Sequence, residues 1–326
     1  MLLAAAGAVS PRPAEAGRLD GFNVIAAPGH SFGSEAARES LERAKKAGAS
    51  AIAIVPFLWQ ATPASKEIVR GSDMADDELR QAIRDARRAG LRSIIKPHVW
   101  IDGHWAGVVA AASESDWKLW FYGYRTEIVH LARIAAQERA DGFFIGTELT
   151  KTINRPEWNV VIDELRAVFR GRLFYAAHNV EEAEIAPFWS RLDAIGVTLY
   201  PPLGKDDDRT FRRDVMRRIA DRLDVLAKRT GKPIIVAEIG LRSAEGAAGA
   251  PWESAEEREA KVALDLQADV LSDWLRALDR PSIGGVLIWR WLTDPDAGGP
   301  LDTDFTVQNK PAENLFRCAG KTRCLR

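Results

Sequence analysis

Eight short apolar runs, each bounded by turn residues and separated by helical patterns, constrain this chain more than any other feature. They are Gly21–Ala26, Ser50–Trp59, Leu91–Trp100, Gly142–Leu149, Leu173–Asn179, Ala194–Pro201, Pro233–Gly240 and Gly285–Trp291. Runs this apolar and this short read as strands buried on both faces, as in a parallel sheet covered by helices. Between them lie amphipathic stripes. Trp117, Trp120, Phe121, Tyr124, Ile128, Leu131 and Ala135 share one face of a long helix. Phe211, Val215, Ile219, Leu223 and Leu226 do the same in an Arg-rich segment. Ser254-x-x-Glu257 reads as a capping box opening a helix whose stripe is Val262, Leu266, Val270, Trp274 and Leu278.

The two ends of the strands are treated differently. Ala47-Gly48, Ala89-Gly90, Arg170-Gly171 and Thr230-Gly231 stand just before strands, and glycine accepts the left-handed conformation that closes a helix. These read as tight turns. The strand exits lead instead into longer loops rich in Trp, His and Pro. Short turns at one end and elaborate loops at the other, eight times over, specify an α/β fold, the (β/α)8 TIM barrel. A doubly wound open sheet is the competing arrangement, but no Gly-rich phosphate fingerprint follows the first run. With no linker or low-complexity break inside it, the span 21–317 reads as a single barrel domain. Residues 1–20 read as a leader and 318–326 as a tail.

Composition removes other classes. The 326 residues are 46% hydrophobic and 28% charged, ample for a large core, with Lys+Arg 45 against Asp+Glu 46. A formal net charge of −1 sets up no field to recruit nucleic acid or an anionic membrane. No segment approaches the roughly 18–20 apolar residues a membrane span needs, so no membrane insertion is expected. Met1–Val9 is a short apolar run followed by Ala14-Glu-Ala16, which resembles a secretory signal and its cleavage site without the basic start. A disordered extension is the plainer alternative. Cys318 and Cys324, close together at the C-terminus, suit a small disulfide loop and an oxidising destination, with two independent thiols as the alternative. A periplasmic or secreted location is expected.

Chemistry should sit at the C-terminal ends of the strands. Glu148 ends the fourth strand and Glu238 the seventh; His178-Asn179 follow the fifth and Tyr200 the sixth. Lys96-Pro97-His98-Val99-Trp100 closes the third strand and Trp105 follows it; Trp59 ends the second, Trp289 and Trp291 lie in the eighth, and Trp252 follows Glu238. Two carboxyl groups, one protonated and one ionised, are what glycoside hydrolysis needs. Aromatic faces stack on the apolar faces of sugar rings, and the chain has eleven Trp. Five of these (Trp117, Trp120, Trp158, Trp189, Trp274) lie in helical patterns and read as core. The bland reading of either glutamate is an ion pair at the barrel rim, for instance with Lys96. Four rim histidines (His30, His98, His104, His178) raise a metal centre, but the first strand lacks the His-x-His that metal-dependent barrel hydrolases carry there. Lys96 could also serve as a Schiff-base lysine, without a neighbour to suggest a carbonyl substrate.

Four stretches, in order, make the pattern specific: Lys96-Pro-His98 with Trp100, Gly146-Thr-Glu148-Leu149, Ile195-Gly-x-x-x-Tyr200-x-Pro-Leu203, and Glu238-Ile-Gly-x-x-Ser243 with Pro251-Trp252. Together they resemble glycoside hydrolase family 113, retaining β-mannanases of the barrel superfamily with glutamates on the fourth and seventh strands. The resemblance runs from about Gly21 to Trp291. It implies Glu148 as acid/base and Glu238 as nucleophile, Tyr200 near the nucleophile, and Lys96, His98 and Trp289 at the cleaved bond. It implies neither cofactor nor metal. Thr147 departs from the wider superfamily, which commonly has Asn before the acid/base, and His178 or Asn179 could take over its contact to the sugar 2-hydroxyl. The expected activity is double-displacement hydrolysis of a β-linked polysaccharide or oligosaccharide, β-1,4-mannan first and a bacterial exopolysaccharide next. Glu148 is expected neutral and Glu238 ionised. A carbohydrate-binding barrel without turnover is the rival from another class.

Overall fold

Apolar alternation is visible directly in where each strand sends its side chains. In the computed structural model, which describes residues 17–71 and 74–318, eight parallel strands close a barrel. They are β1 (Gly21–Ile25), β2 (Ala51–Ile54), β5 (Arg92–Ile95), β7 (Gly142–Thr147), β8 (Arg172–His178), β9 (Ile195–Leu199), β10 (Ile234–Ile239) and β11 (Ile283–Leu292). Helices α1 (Glu35–Lys46), α2 (Asp76–Arg88), α3 (Glu114–Gln137), α4 (Trp158–Val168), α5 (Asn179–Ile185), α6 (Arg209–Thr230), α7 (Leu264–Ala277) and α8 (Leu315–Cys318) follow them in turn. This is the (β/α)8 barrel. Ala51, Ala53, Ile94, Phe144, Phe174, Ala176, Ile235, Ala237 and Leu287 fill its interior. Their strand neighbours Ile52, Ile54, Phe143, Ile145, Tyr175, Ala177, Ile234 and Val236 pack outward into the larger core beneath the helices. Burial on both faces is why the strands read as unbroken apolar runs.

Two of the expected strands are each two. Barrel strand β2 stops before Pro56 and β5 before Pro97, since proline has no N–H for the ladder. The chain then resumes as β3 (Phe57–Trp59) and β6 (His98–Trp100), which with β4 (Val69–Arg70) form a three-stranded sheet beside the barrel mouth. In the parallel β3–β6 pair Phe57 lies opposite His98 and Trp59 opposite Trp100. Trp59 and Trp100 therefore stand together, ring centroids 6.1 Å apart, while Leu58 and Val99 point into the core.

Gly48, Gly90 and Gly231 have positive φ, as a left-handed helix terminus requires. Gly171 does not; there a Cβ would lie 2.4 Å from the Phe169 ring, so space excludes a side chain. The α3 stripe is buried as expected. That of α6 is rotated: Arg212, Met216, Ala220, Leu223, Leu226 and Ala227 are buried, and Phe211 is exposed. The cause is Arg212, whose Nε donates to Asp273 of α7 at 3.0 Å with both side chains enclosed. The capping box also misleads. Ser254 N–H does reach Glu257 at 2.6 Å, but α7 begins only at Leu264. Fully buried Arg242 donates to the Ser254 and Arg258 carbonyls, and the Ser254 carbonyl receives the Glu257 N–H in a single turn that does not continue as helix. The signal-like leader up to Ala16 and the Cys318–Cys324 disulfide lie outside the described residues. No described helix is long and apolar enough to cross a membrane.

Candidate active site

Both glutamates are re-aimed by local backbone irregularity. Ile235 and Ala237 point into the barrel, so strict alternation would send Glu238 outward to the helices. Instead the pairing of β10 slips between Val236 and Glu238 on one side and between Val236 and Ile239 on the other. Such bulges redirect a side chain. β7 slips between Phe144 and Thr147, and Glu148 itself has φ 54°, a conformation a glutamate rarely adopts. Hydrogen bonds hold it there: Glu148 N–H to the Ala176 carbonyl at 2.8 Å, and Leu149 N–H to the Tyr175 hydroxyl at 3.1 Å.

Glu238 is buried and surrounded by donors. Tyr200 O–H donates to its Oε2 at 2.9 Å, and the Lys96 ammonium forms an ion pair with Oε1. Lys96, fully enclosed, also donates to Asn23 Oδ1 at 2.9 Å and stands 5.4 Å from the centre of the Trp289 ring. The rim ion pair expected as the bland reading thus exists, but it sits on the site side of the carboxylate. With its ammonium spent on Glu238 and Asn23, Lys96 is not arranged as a Schiff-base lysine. Burial, then the charges of Glu238 and Glu148, push the Tyr200 hydroxyl well above its ordinary value, so it stays a donor.

Glu148 is buried too, and its partners are different. His178 Nδ1 lies 3.1 Å from Oε1, the Thr198 hydroxyl donates to the same oxygen, and Trp105 Nε1–H donates to Oε2 at 2.8 Å. Burial alone would raise the pKa of this carboxyl. The His178 hydrogen bond and charge, then the His98 charge and the Thr198 hydroxyl, hold it down, to about 2. In the free protein Glu148 is therefore ionised, where the sequence reading expected it neutral. A carboxylate with three donors has no reason to keep a proton.

The remaining candidates are placed unequally. The charges of both carboxylates reach His98; burial outweighs them and pushes its imidazole down, and its enclosed Nδ1 has no hydrogen bond. Asn179 binds His178 Nε2 at 2.9 Å. Thr147 is turned away, donating to the Pro97 carbonyl at 3.1 Å. Trp59, Trp100, Trp105 and Trp252 are 39%, 43%, 40% and 56% exposed, as side chains meant for a ligand should be, while the five helical Trp are buried as expected. Trp291 leaves the rim group: it is wholly buried on Phe22, its indole donating to Ser40. Trp105 lies against Gly107, where a Cβ would fall 2.1 Å from its ring. The rim histidines are dispersed, His30 by Asp294 at 4.0 Å and His104 exposed on its turn. No described group of three His, Cys, Asp or Glu could hold a metal.

A cleft with two enclosed carboxylates, oppositely partnered, and exposed indoles around them is suited to sugar chemistry. The model of glycoside hydrolase family 113 matches residues 21–310. The chain belongs to that family. It is a glycoside hydrolase. Among solved structures it is similar to a β-1,4-mannanase of family 113 in complex form, at 27% identity and TM-score 0.83 over 94% of this chain and 100% of that one. It is similar also to the family 113 β-mannanase AaManA from Alicyclobacillus acidocaldarius in complex with ManMIm, at 24% identity and TM-score 0.83, covering 93% and 97% of the two chains. A β-glucuronidase from Ruminococcus gnavus, at 14% identity and TM-score 0.61, covers 92% of this chain and 49% of its own; it shares the fold. No curated protein matches.

Sequence reasoning missed Asn23 and Thr198 at this family 113 site. Each is a lone polar residue inside an apolar barrel strand, buried with no exposure, and that isolation was the available signal. It missed Glu182 as well, which anchors the acid side of the site from α5.

Proposed function

We propose that this enzyme is a retaining β-mannanase that cleaves β-1,4-mannan by double displacement. The observation that carries this reading is the unequal surroundings of two buried glutamates at one barrel mouth. Glu238, turned inward and fixed by Tyr200 and Lys96, acts as nucleophile. Its oxygen bonds to the anomeric carbon as the glycosidic bond breaks, and Glu148 gives a proton to the leaving oxygen. In the second half Glu148 takes a proton from water, the hydroxide oxygen attacks the anomeric carbon, and the ester to Glu238 breaks. The donor-rich pocket of Glu148 favours this base role; the acid role requires that a proton be returned to it. The similar family 113 structures are those of a β-mannanase and a β-1,4-mannanase. Export to the periplasm or beyond belongs to the same reading, through the leader and the two cysteines.

Purified enzyme incubated with mannan, glucan, xylan and bacterial exopolysaccharides decides the substrate. Mannan is expected to release short oligosaccharides whose new reducing ends first appear, by NMR, with the β configuration. Release of α ends, or cleavage of another glycan with mannan untouched, would sink the reading. A second expectation concerns the exposed indoles. Trp252→Ala should weaken oligosaccharide binding by about 1–3 kcal/mol, the scale of losing one stacked aromatic face. Its exposure predicts an unchanged melting temperature. Calorimetric titration showing unaltered affinity would remove Trp252 from the cleft.

A further inference from the structure

The proton that Glu148 must deliver has no place on Glu148 in the free protein. Both carboxyl oxygens accept hydrogen bonds, Oε1 from His178 and Thr198 and Oε2 from Trp105. Of the three donors, only the imidazole can take up or release a proton near neutral pH. We propose that His178 and Glu148 share one proton, and that His178 is the positioning residue that keeps it between turnovers and returns it to Glu148 when a saccharide fills the cleft. The proposal deepens the reading of Glu148 as acid/base and rests on it.

The pair is built, not incidental. His178 ends β8 where α5 begins, and the charge of buried Glu182 on α5 bears on its ring. Glu182 also accepts from the Thr150 hydroxyl and, at 3.0 Å, from Tyr175. Tyr175 in turn receives Leu149 N–H at 3.1 Å. Through Tyr175 and Thr150, this buried carboxylate ties α5 to the segment that follows Glu148. The Trp105 ring lies over the His178 ring with centroids 4.4 Å apart. Asn179, at φ 58°, puts its side-chain amide 2.9 Å from Nε2. Turned to present its oxygen, the amide accepts from Nε2–H both in the imidazolium and in the neutral ring left when Nδ1 gives up its proton.

The charges around the ring agree. Burial disfavours the imidazolium, but the hydrogen bond and charge of Glu148 from β7, with the charges of Glu182 and Glu181 from α5, outweigh it and raise the His178 pKa. From β9 comes only the uncharged Thr198 hydroxyl. Across the site, burial pushes the His98 imidazole down against the charges of both carboxylates. In glycosylation the proton moves from His178 Nδ1 to Glu148 Oε1, the carboxyl turns about its soft terminal torsion, and the same proton passes to the leaving oxygen. In deglycosylation Glu148 takes a proton from the attacking water and it returns to Nδ1. Charge and atoms balance over the cycle.

The test has two arms. The first needs no sugar: histidine-labelled full-length protein is titrated by 15N NMR, with His178 assigned from its proximity to Trp105. His178 is expected to titrate above the ordinary value of about 6.5, and Glu148→Gln to lower that midpoint by about one unit or more. A midpoint at or below the ordinary value, unmoved by Glu148→Gln, would overturn the pairing. The second arm is the pH profile of kcat/KM on mannan. In wild type the alkaline limb is loss of the pair's last proton, from a raised imidazole. In His178→Gln that proton is a lone carboxyl's, so the limb should move to lower pH. An aryl β-mannoside whose leaving group departs without a proton should show no such displacement. Equal loss on both substrates with unmoved limbs would reduce His178 to scaffold. Inactivity of wild type on mannan would sink the proposed function, while the NMR arm would still decide the pair.

Discussion

Glu238→Gln is expected to abolish hydrolysis of every substrate, whereas Glu148→Gln is expected to fail selectively. The asymmetry follows from their roles. A glutamine at 238 cannot form the glycosyl ester, so the first step is lost whatever the leaving group. A glutamine at 148 cannot protonate a leaving sugar, at a cost of about 10²–10⁴-fold on mannan. A dinitrophenyl β-mannoside departs without that proton and should still load Glu238. Water is then not activated, so the glycosyl-enzyme should accumulate and be visible by mass spectrometry. Azide, which needs no base, should restore release as a β-mannosyl azide. The assignment also requires the two carboxyls to sit about 5–5.5 Å apart; an inverting pair needs roughly 6.5–9.5 Å. Equal and unrescuable losses in both variants, or an α-configured azide, would sink the retaining mechanism.

The second large effect should be on stability. Lys96 and Glu238 form an ion pair with the lysine fully enclosed and the glutamate side chain 7% exposed. Removing one member strands the other as a buried charge, which typically costs about 3–5 kcal/mol. Lys96→Met should therefore lower the free energy of unfolding by about that amount in urea. Adding Glu238→Gln should return most of it, because a neutral amide needs no counter-charge and its oxygen can still accept from the Tyr200 hydroxyl. Lys96→Arg should not substitute, since the guanidinium is larger and its donors are fixed in a fork. A double variant as unstable as Lys96→Met alone would mean that Lys96 acts through packing under Trp289 and not through Glu238.

Much of this was legible in the residues because each signal was local. The barrel could be read from eight apolar runs and the glycines before them, since burial on both faces leaves a strand no polar positions. Glu148 and Glu238 stood out because a carboxylate at the end of such a run has no structural need to be there. The exposed indoles were separable from the core ones by whether they fell on a helical stripe. Trp291 defeated that rule: it is still paired with Val24 of β1 in the barrel wall, and its side chain faces Phe22 and Ser40 in the core.

What the residues could not carry was pairwise and long-range. The α6 stripe was misplaced because Arg212 is buried by an acid on another helix, and the helix expected to open at Ser254 begins only at Leu264. Protonation at the site followed the same rule. Glu148 was expected neutral, yet three donors from β8, β9 and the Trp105 loop meet on it and keep it ionised. Likewise, nothing in Ile234–Ile239 announces the register slips that turn Glu238 inward. Strand period and chain composition are properties of neighbours along the sequence, and they determined the barrel, its chemical end and its two acids. The aim of each carboxylate and the seat of its proton depend on groups up to 142 residues apart, as Lys96 and Glu238 are, and only the closed barrel brings those groups together.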